Sequence, residues 1–141
     1  MNARTATAAG ERVRPLQADA VLELLRRHAR PGERGEDVLL DRGLLDEHEL
    51  ALALATASGR ELVGLRGFVP DARLFLYVPV ATALVERVCP LVLAGDTLKV
   101  ASAYLDPDLS AVEARFPNLA LELAVSPRGE ILAALAHAAP R

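Results

Sequence analysis

The stretch RGEDVLLDRGLLDEHELALALATASG, Arg34 to Gly59, decides how this chain is read. Val38, Leu39 and Leu40 form a short helical pattern from about Gly35 to Arg42. Gly43 then closes it, because glycine enters the left-handed conformation that stops a helix, and Arg42 sits favourably at the negative end of the dipole. Asp46 can cap the next helix. Glu49, three residues on, can reach back as in a capping box, and Glu47 adds charge at the positive end. This second helix is expected to run to about Ala57 and to stop at Ser58 and Gly59. The stretch therefore reads as helix, glycine turn, helix.

Its second half, ELALALATA, has no polar side. Leu50 and Leu54 share one helix face, Leu52 projects nearly opposite, and alanines fill most of the rest. A helix apolar all round belongs between two layers, since an exposed apolar patch of that size is a liability. If both layers are in this chain, the three leucines are core. If one layer is a partner, Leu50, Leu52 and Leu54 are the partner-binding residues.

Upstream, Leu16, Ala20, Val21, Leu24, Leu25 and His28 recur at helical spacing from Leu16 to Ala29, and Pro31-Gly32 ends that amphipathic helix. Downstream the punctuation tightens. Glu61 to Leu65 reads as a brief strand or connector, Pro70-Asp71 as the start of a short helix through Leu74 and Leu76, and Pro79 as the start of another, to about Arg87. VCPLVLAGDTLKVASA reads as two strands joined at Gly95-Asp96, with Pro90 confining its strand to an edge. Asp106-Pro107-Asp108 opens a helix to Arg115, and NLALELAV alternates as a third strand. Ser126-Pro127 starts a last helix, with Ile131, Leu132 and Leu135 as its buried stripe. The expected fold is α/β in the α+β sense: a flexible lead over residues 1–14, a helical lobe over 15–60, and a small mixed-sheet lobe with flanking helices over 61–141.

Composition removes several function classes. With 141 residues and a formal net charge of −3, the chain has room for one domain or two small lobes and no global field for nucleic acid or an anionic membrane. Its single cysteine, Cys89, forms no intrachain disulfide, and its apolar surroundings suit an inert buried thiol. The first fourteen residues lack the apolar run of a secretory signal, and Leu74 to Val85, interrupted by Pro79, is too short to span a bilayer, which needs about 20 apolar residues. A cytoplasmic protein without membrane insertion is expected. Neither GxxxxGK[ST] nor GxGxxG occurs, His28, His48 and His137 lack metal spacing, and no serine sits in a nucleophile elbow. The expectation is no catalysis, no metal and no cofactor.

One basic group stands out. Arg26, Arg27 and Arg30 crowd the end of the first helix, and Arg34 follows the Pro31-Gly32 turn. Guanidinium forks match phosphate oxygens, so these four are the candidate ligand-binding residues for a small anion such as a cyclic dinucleotide. A solvated helix end is the reading preferred over an anion site for this group, since helix C-termini attract cations.

The opening stretch resembles the N-terminal domain of type II secretion and type IV pilus assembly ATPases, the GspE/PilB N-terminal or MshEN-type domain. In that family RLGxxLVxxGxxxxxxLxxxLxxQ makes a helix-turn-helix. Aligning Gly43 with its internal glycine places Arg34 on the leading arginine, Leu39 and Leu40 on the aliphatic pair, and Leu50 and Leu54 on the helix leucines. The family's next leucine and glycine fall on Gly35 and Glu36, its final glutamine falls on Ala57, and one copy of the motif is recognisable. ELVGL, the proline-marked helices, the hairpin and the closing helix resemble the family's second half. The resemblance implies a bacterial, noncatalytic docking or regulatory module that meets a protein partner of a secretion, pilus or motility system, without the ATPase core. It also implies an alternative, a cyclic di-GMP sensor acting through Arg34, although Glu36 would set a carboxylate against the phosphates.

Overall fold

The computed structural model describes the backbone of residues 15–29 and 31–138. The lead expected over residues 1–14, the side chain of Leu16, and Arg30 lie outside the described residues. The chain divides into two compact units between Arg60 and Glu61.

The first unit is helical: α1 (Pro15–His28), α2 (Gly35–Asp41) and α3 (Glu47–Ser58). α1 packs against both of the others. Ala18, Val21 and Leu25 are buried on α1, Leu39 on α2, and Leu50, Ala51, Ala53, Leu54 and Ala55 on α3. The helix ends are built by short-range hydrogen bonds. Gly43, at φ 72°, donates to Leu40 O at 3.1 Å while Leu44 N donates to Leu39 O at 3.0 Å, the paired bonds of a Schellman stop. Asp46 Oδ1 accepts from Glu49 N at 2.8 Å, and Glu49 Oε1 accepts from Asp46 N at 3.1 Å. The capping box is complete. α3 ends at Gly59, φ 74°, whose N–H donates to Ala55 O.

The second unit carries a 3-10 turn (Ala72–Leu76), α4 (Val80–Glu86), β1 (Val88–Ala94), β2 (Thr97–Ser102), α5 (Ser110–Arg115), β3 (Ala120–Val125) and α6 (Arg128–Ala138). β1 and β2 form the antiparallel hairpin, and Gly95 at φ 61° supplies the positive dihedral that a tight turn between right-twisted strands needs. β3 adds parallel to β2 after the α5 crossover, so the sheet is mixed, in the order β1-β2-β3. β1 is an edge, as Pro90 requires, and its register shifts between Pro90 and Val92. The segment after Glu61 lies along β3 at the Leu62–Val125 bridge, where Val63 N donates to Val125 O and Val125 N to Glu61 O, both at 2.8 Å.

Helices flank this sheet: α4 and α6 both pack on β1, and α6 also reaches β2. The core they enclose includes Val78, Val88, Leu98, Val100, Ile131 and Leu135. Three expectations shift in detail. The helix opened by Pro70-Asp71 is a 3-10 turn, capped by Asp71 Oδ1 accepting from Arg73 N. On α6, Ile131, Ala134 and Leu135 are buried while Leu132 is half-buried, and on β3 full burial falls on Ala124 and Val125. The Ser126 hydroxyl donates across the fold to Val63 O.

Candidate functional site

The basic group at the end of α1 is partly committed. Arg26 forms an ion pair with Glu23, one helical turn away and largely exposed. The hydrogen bond from Arg26, followed by its charge, holds the Glu23 carboxyl below its ordinary range. Arg27 is exposed. Arg34 is half-buried and occupies the N-cap of α2 in extended backbone, φ −92° and ψ 133°. Its carbonyl accepts from Val38 N at 3.1 Å, so its main chain starts the helix. Glu36 and Asp37 follow in the first turn, and Glu36 is only 6% exposed. A carboxylate thus sits two residues from the arginine that an anion would need, in a poorly hydrated place where like charges repel strongly.

Leu50 and Leu54 are 3% and 0% exposed. The face they share is therefore buried within the chain, and of the three leucines Leu52 is the one with surface left for a partner. Leu52, on the other side of α3, is half-buried. The apolar side chains that do reach the surface lie elsewhere, including Leu76 at 72% and Val85 at 69% exposure.

Among the described residues of the second unit, two concavities bear on function. One, of about 290 Å³, is bordered by Val85, Glu86, Asp108 and Ser110. Glu86, Asp108 and Ser110 bond to one another: Asp108 N donates to Glu86 Oε1, and both the Ser110 N–H and hydroxyl donate to Asp108 Oδ1. The other, of about 300 Å³, lies at the hairpin turn and the end of α5, lined by Tyr77, Asp96, Arg115, Phe116 and Asn118 among others. The Tyr77 and Phe116 rings meet at 5.0 Å between centroids, tilted by 56°, and the Arg115 guanidinium lies over the Phe116 ring at 5.5 Å. Sequence reasoning missed this group. Arg115 and Phe116 adjoin a helix stop, which is a local signal, but nothing local brings Tyr77 and Asp96 to them.

Cys89 is fully buried, and burial pushes its thiol up to about 12. A thiol so protonated is no nucleophile at neutral pH. Among the described residues no three His, Cys, Asp or Glu side chains gather to hold a metal ion, and no helix is long and apolar enough to cross a membrane.

Solved structures share the fold over nearly the whole chain. A structure of MshE with cdg matches at a TM-score of 0.61 and 23% identity, covering 94% of this chain and 95% of that one. A structure of the N-terminal domain of XpsE matches at 0.62 and 19%, covering 94% and 91%. A second crystal form of that XpsE domain gives 0.61 and 20%, covering 94% and 90%. No curated protein matches. The MshEN domain model matches residues 58–141, the second unit together with the last three residues of the first. A match over more than half of the sequence places this chain in the MshEN domain family.

Proposed function

We propose that the chain is a noncatalytic interaction or regulatory module, of the kind that stands N-terminal to the motor ATPase of secretion and pilus machines, and that it works in the cytoplasm by meeting a protein of such a system. The observation that carries this reading is the family match over residues 58–141. The likeness of fold to the XpsE N-terminal domain extends across both units and supports it further. The residue chemistry agrees: the cysteine is held protonated, and the acidic residues beside the smaller concavity hydrogen-bond to their neighbours. Exposed apolar side chains such as Leu76 and Val85 give a partner something to cover. The test is affinity purification of the tagged full chain from its native host. Recovery of a secretion, pilus or motility component is expected, and repeated recovery of none overturns the reading.

A second reading has one specific observation in its favour, that MshE was solved with cdg, the usual short form of cyclic di-GMP. On that reading Arg34 and its basic neighbours would hold the phosphates. Calorimetric titration with cyclic di-GMP separates the two. Binding near about 1 μM (roughly 8 kcal/mol) that Arg34→Ala abolishes supports a sensor. Absence of heat, with the buried Glu36 carboxylate as the cause, leaves the docking module alone.

A further inference from the structure

The concavity at the hairpin turn joins exposed polar groups, Asp96, Arg115 and Asn118, to the half-buried Tyr77 and Phe116 rings. Tyr77, Asp96, Arg115 and Asn118 all line it, and among the described residues none of their side chains makes a hydrogen bond or ion pair. Asp96 and Arg115 carry opposite charges on one rim, yet they form no ion pair with each other. By contrast, Asp71 and Arg73 pair at 2.7 Å on open surface, and Lys99 pairs with Glu61 at 2.5 Å. The same cavity has an apolar lining from Tyr77, Leu93, Phe116 and Leu119. Two of the chain's five aromatic residues meet here. The volume, about 300 Å³, stands at the lower end of the range of roughly 300–1,000 Å³ typical of small-molecule sites.

We propose that this cavity binds a free α-amino acid with an aromatic or large apolar side chain. The ligand's charges complement the rim. A guanidinium held over a ring keeps N–H donors in its own plane free, so Arg115 above Phe116 can take a carboxylate through a two-pronged contact. The Asn118 amide adds a donor to the same end. Asp96 accepts from the ammonium group. Gly95 contributes no side chain beside it, which leaves the approach open: a Cβ built there meets nothing within 4 Å. The ligand's side chain lies on the Tyr77 and Phe116 rings, where offset or edge-to-face contact is favourable. Ligand size, zwitterionic charge and apolar body all follow from this one group of residues. The lining residues all belong to the second unit, and the site needs neither a cyclic dinucleotide nor a protein partner.

The test is a titration of the full chain with L-phenylalanine, followed by backbone amide NMR. Saturable shifts centred on Gly95, Asp96 and Asn118 are expected, with half-saturation at or below about 1 mM, roughly 4 kcal/mol of binding. N-acetyl-L-phenylalanine lacks the cation and L-phenylalaninamide lacks the carboxylate. Each is expected to bind about ten-fold more weakly, a difference of about 1.4 kcal/mol. Arg115→Leu and Asp96→Asn should cause the same loss while the remaining amide spectrum stays that of the folded chain. Equal binding by both blocked compounds would reduce the site to an apolar dent and overturn the proposal. So would linear, unsaturated shifts up to about 10 mM, or shifts centred outside the cavity.

Discussion

Gly35 stands directly against the main chain of Leu25: a Cβ at Gly35 would lie 2.8 Å from the Leu25 carbonyl oxygen, closer than any real carbon approaches. The first turn of α2 therefore packs on the backbone of α1 where only glycine fits. Where the resemblance puts a leucine in the family's motif, this chain has the one residue its own helix packing allows.

Gly35→Ala is accordingly expected to destabilise the first unit by about 1–3 kcal/mol, since rigid backbone is what must move. Gly43→Ala is the control. At Gly43 a Cβ meets nothing within 4 Å, but φ of 72° penalises any side chain, at about 1–2 kcal/mol. Chemical denaturation of both variants checks the pair, and unchanged stability in Gly35→Ala would contradict the close packing.

Asp46→Ala removes the side-chain oxygen that Glu49 N donates to and leaves the start of α3 uncapped. The expected loss is about 0.5–2 kcal/mol, and Asp46→Ser or Asp46→Asn should restore most of it because each offers an equivalent acceptor. Thermal unfolding with the three variants side by side is the measurement.

Glu130 on α6 reaches back to the connector. Its Oε1 accepts from Leu65 N at 2.7 Å, across 65 residues of sequence, and Leu65 is itself 3% exposed. Glu130→Ala should cost about 1–3 kcal/mol, because the Leu65 amide is left without its acceptor in a partly buried place. Hydrogen exchange at the Leu65 amide should accelerate more than at β2, and equal protection in the variant would count against the contact.

Cys89 should resist alkylation in the native chain at pH 8 and react fully after denaturation. The linked effect on stability has a definite sign. The thiol is raised from 9.0 to about 12 in the folded state, so both states hold the proton below pH 9 and the folded state alone holds it between 9 and 12. Stability therefore falls as pH rises through that window. Cys89→Ala removes this slope, and denaturation curves at pH 8 and pH 10 compare the two proteins.

Asp71 works in the opposite direction. The hydrogen bonds from the Arg73 side chain and then its backbone N–H draw its carboxyl from 3.8 to about 2. Its contribution is complete above pH 4 and fades as pH falls through 2, and Asp71→Asn should flatten that part of the acid profile. The effect is small because the pair lies in solvent.

Much of the helical punctuation was legible because it is made of bonds spanning three to five residues. Gly43, Gly59, Gly95 and the Asp46/Glu49 box carry their geometry in their own neighbourhood. Pro90 likewise announced an edge strand by lacking an N–H. The family was legible too, although the Arg34–Gly59 pattern that first suggested it lies almost wholly upstream of the matched residues 58–141. The candidate sites were less so. Helical spacing in ELALALATA set Leu50 and Leu54 on one face and Leu52 on the other, but only the packing shows which face is buried and which is half-exposed.

By itself the sequence determined most helix and strand limits, the glycine turns, and the pairing of β1 with β2, since each depends on dihedral freedom and donors within a few residues. Only the tertiary structure decided the parallel addition of β3, the approach of α2 to the Leu25 backbone, and the meeting of Tyr77 and Asp96 with Arg115 and Phe116. Those arrangements join residues far apart in the chain. Their stability comes from burying shared apolar surface and satisfying buried amides at once, a condition that no local stretch expresses.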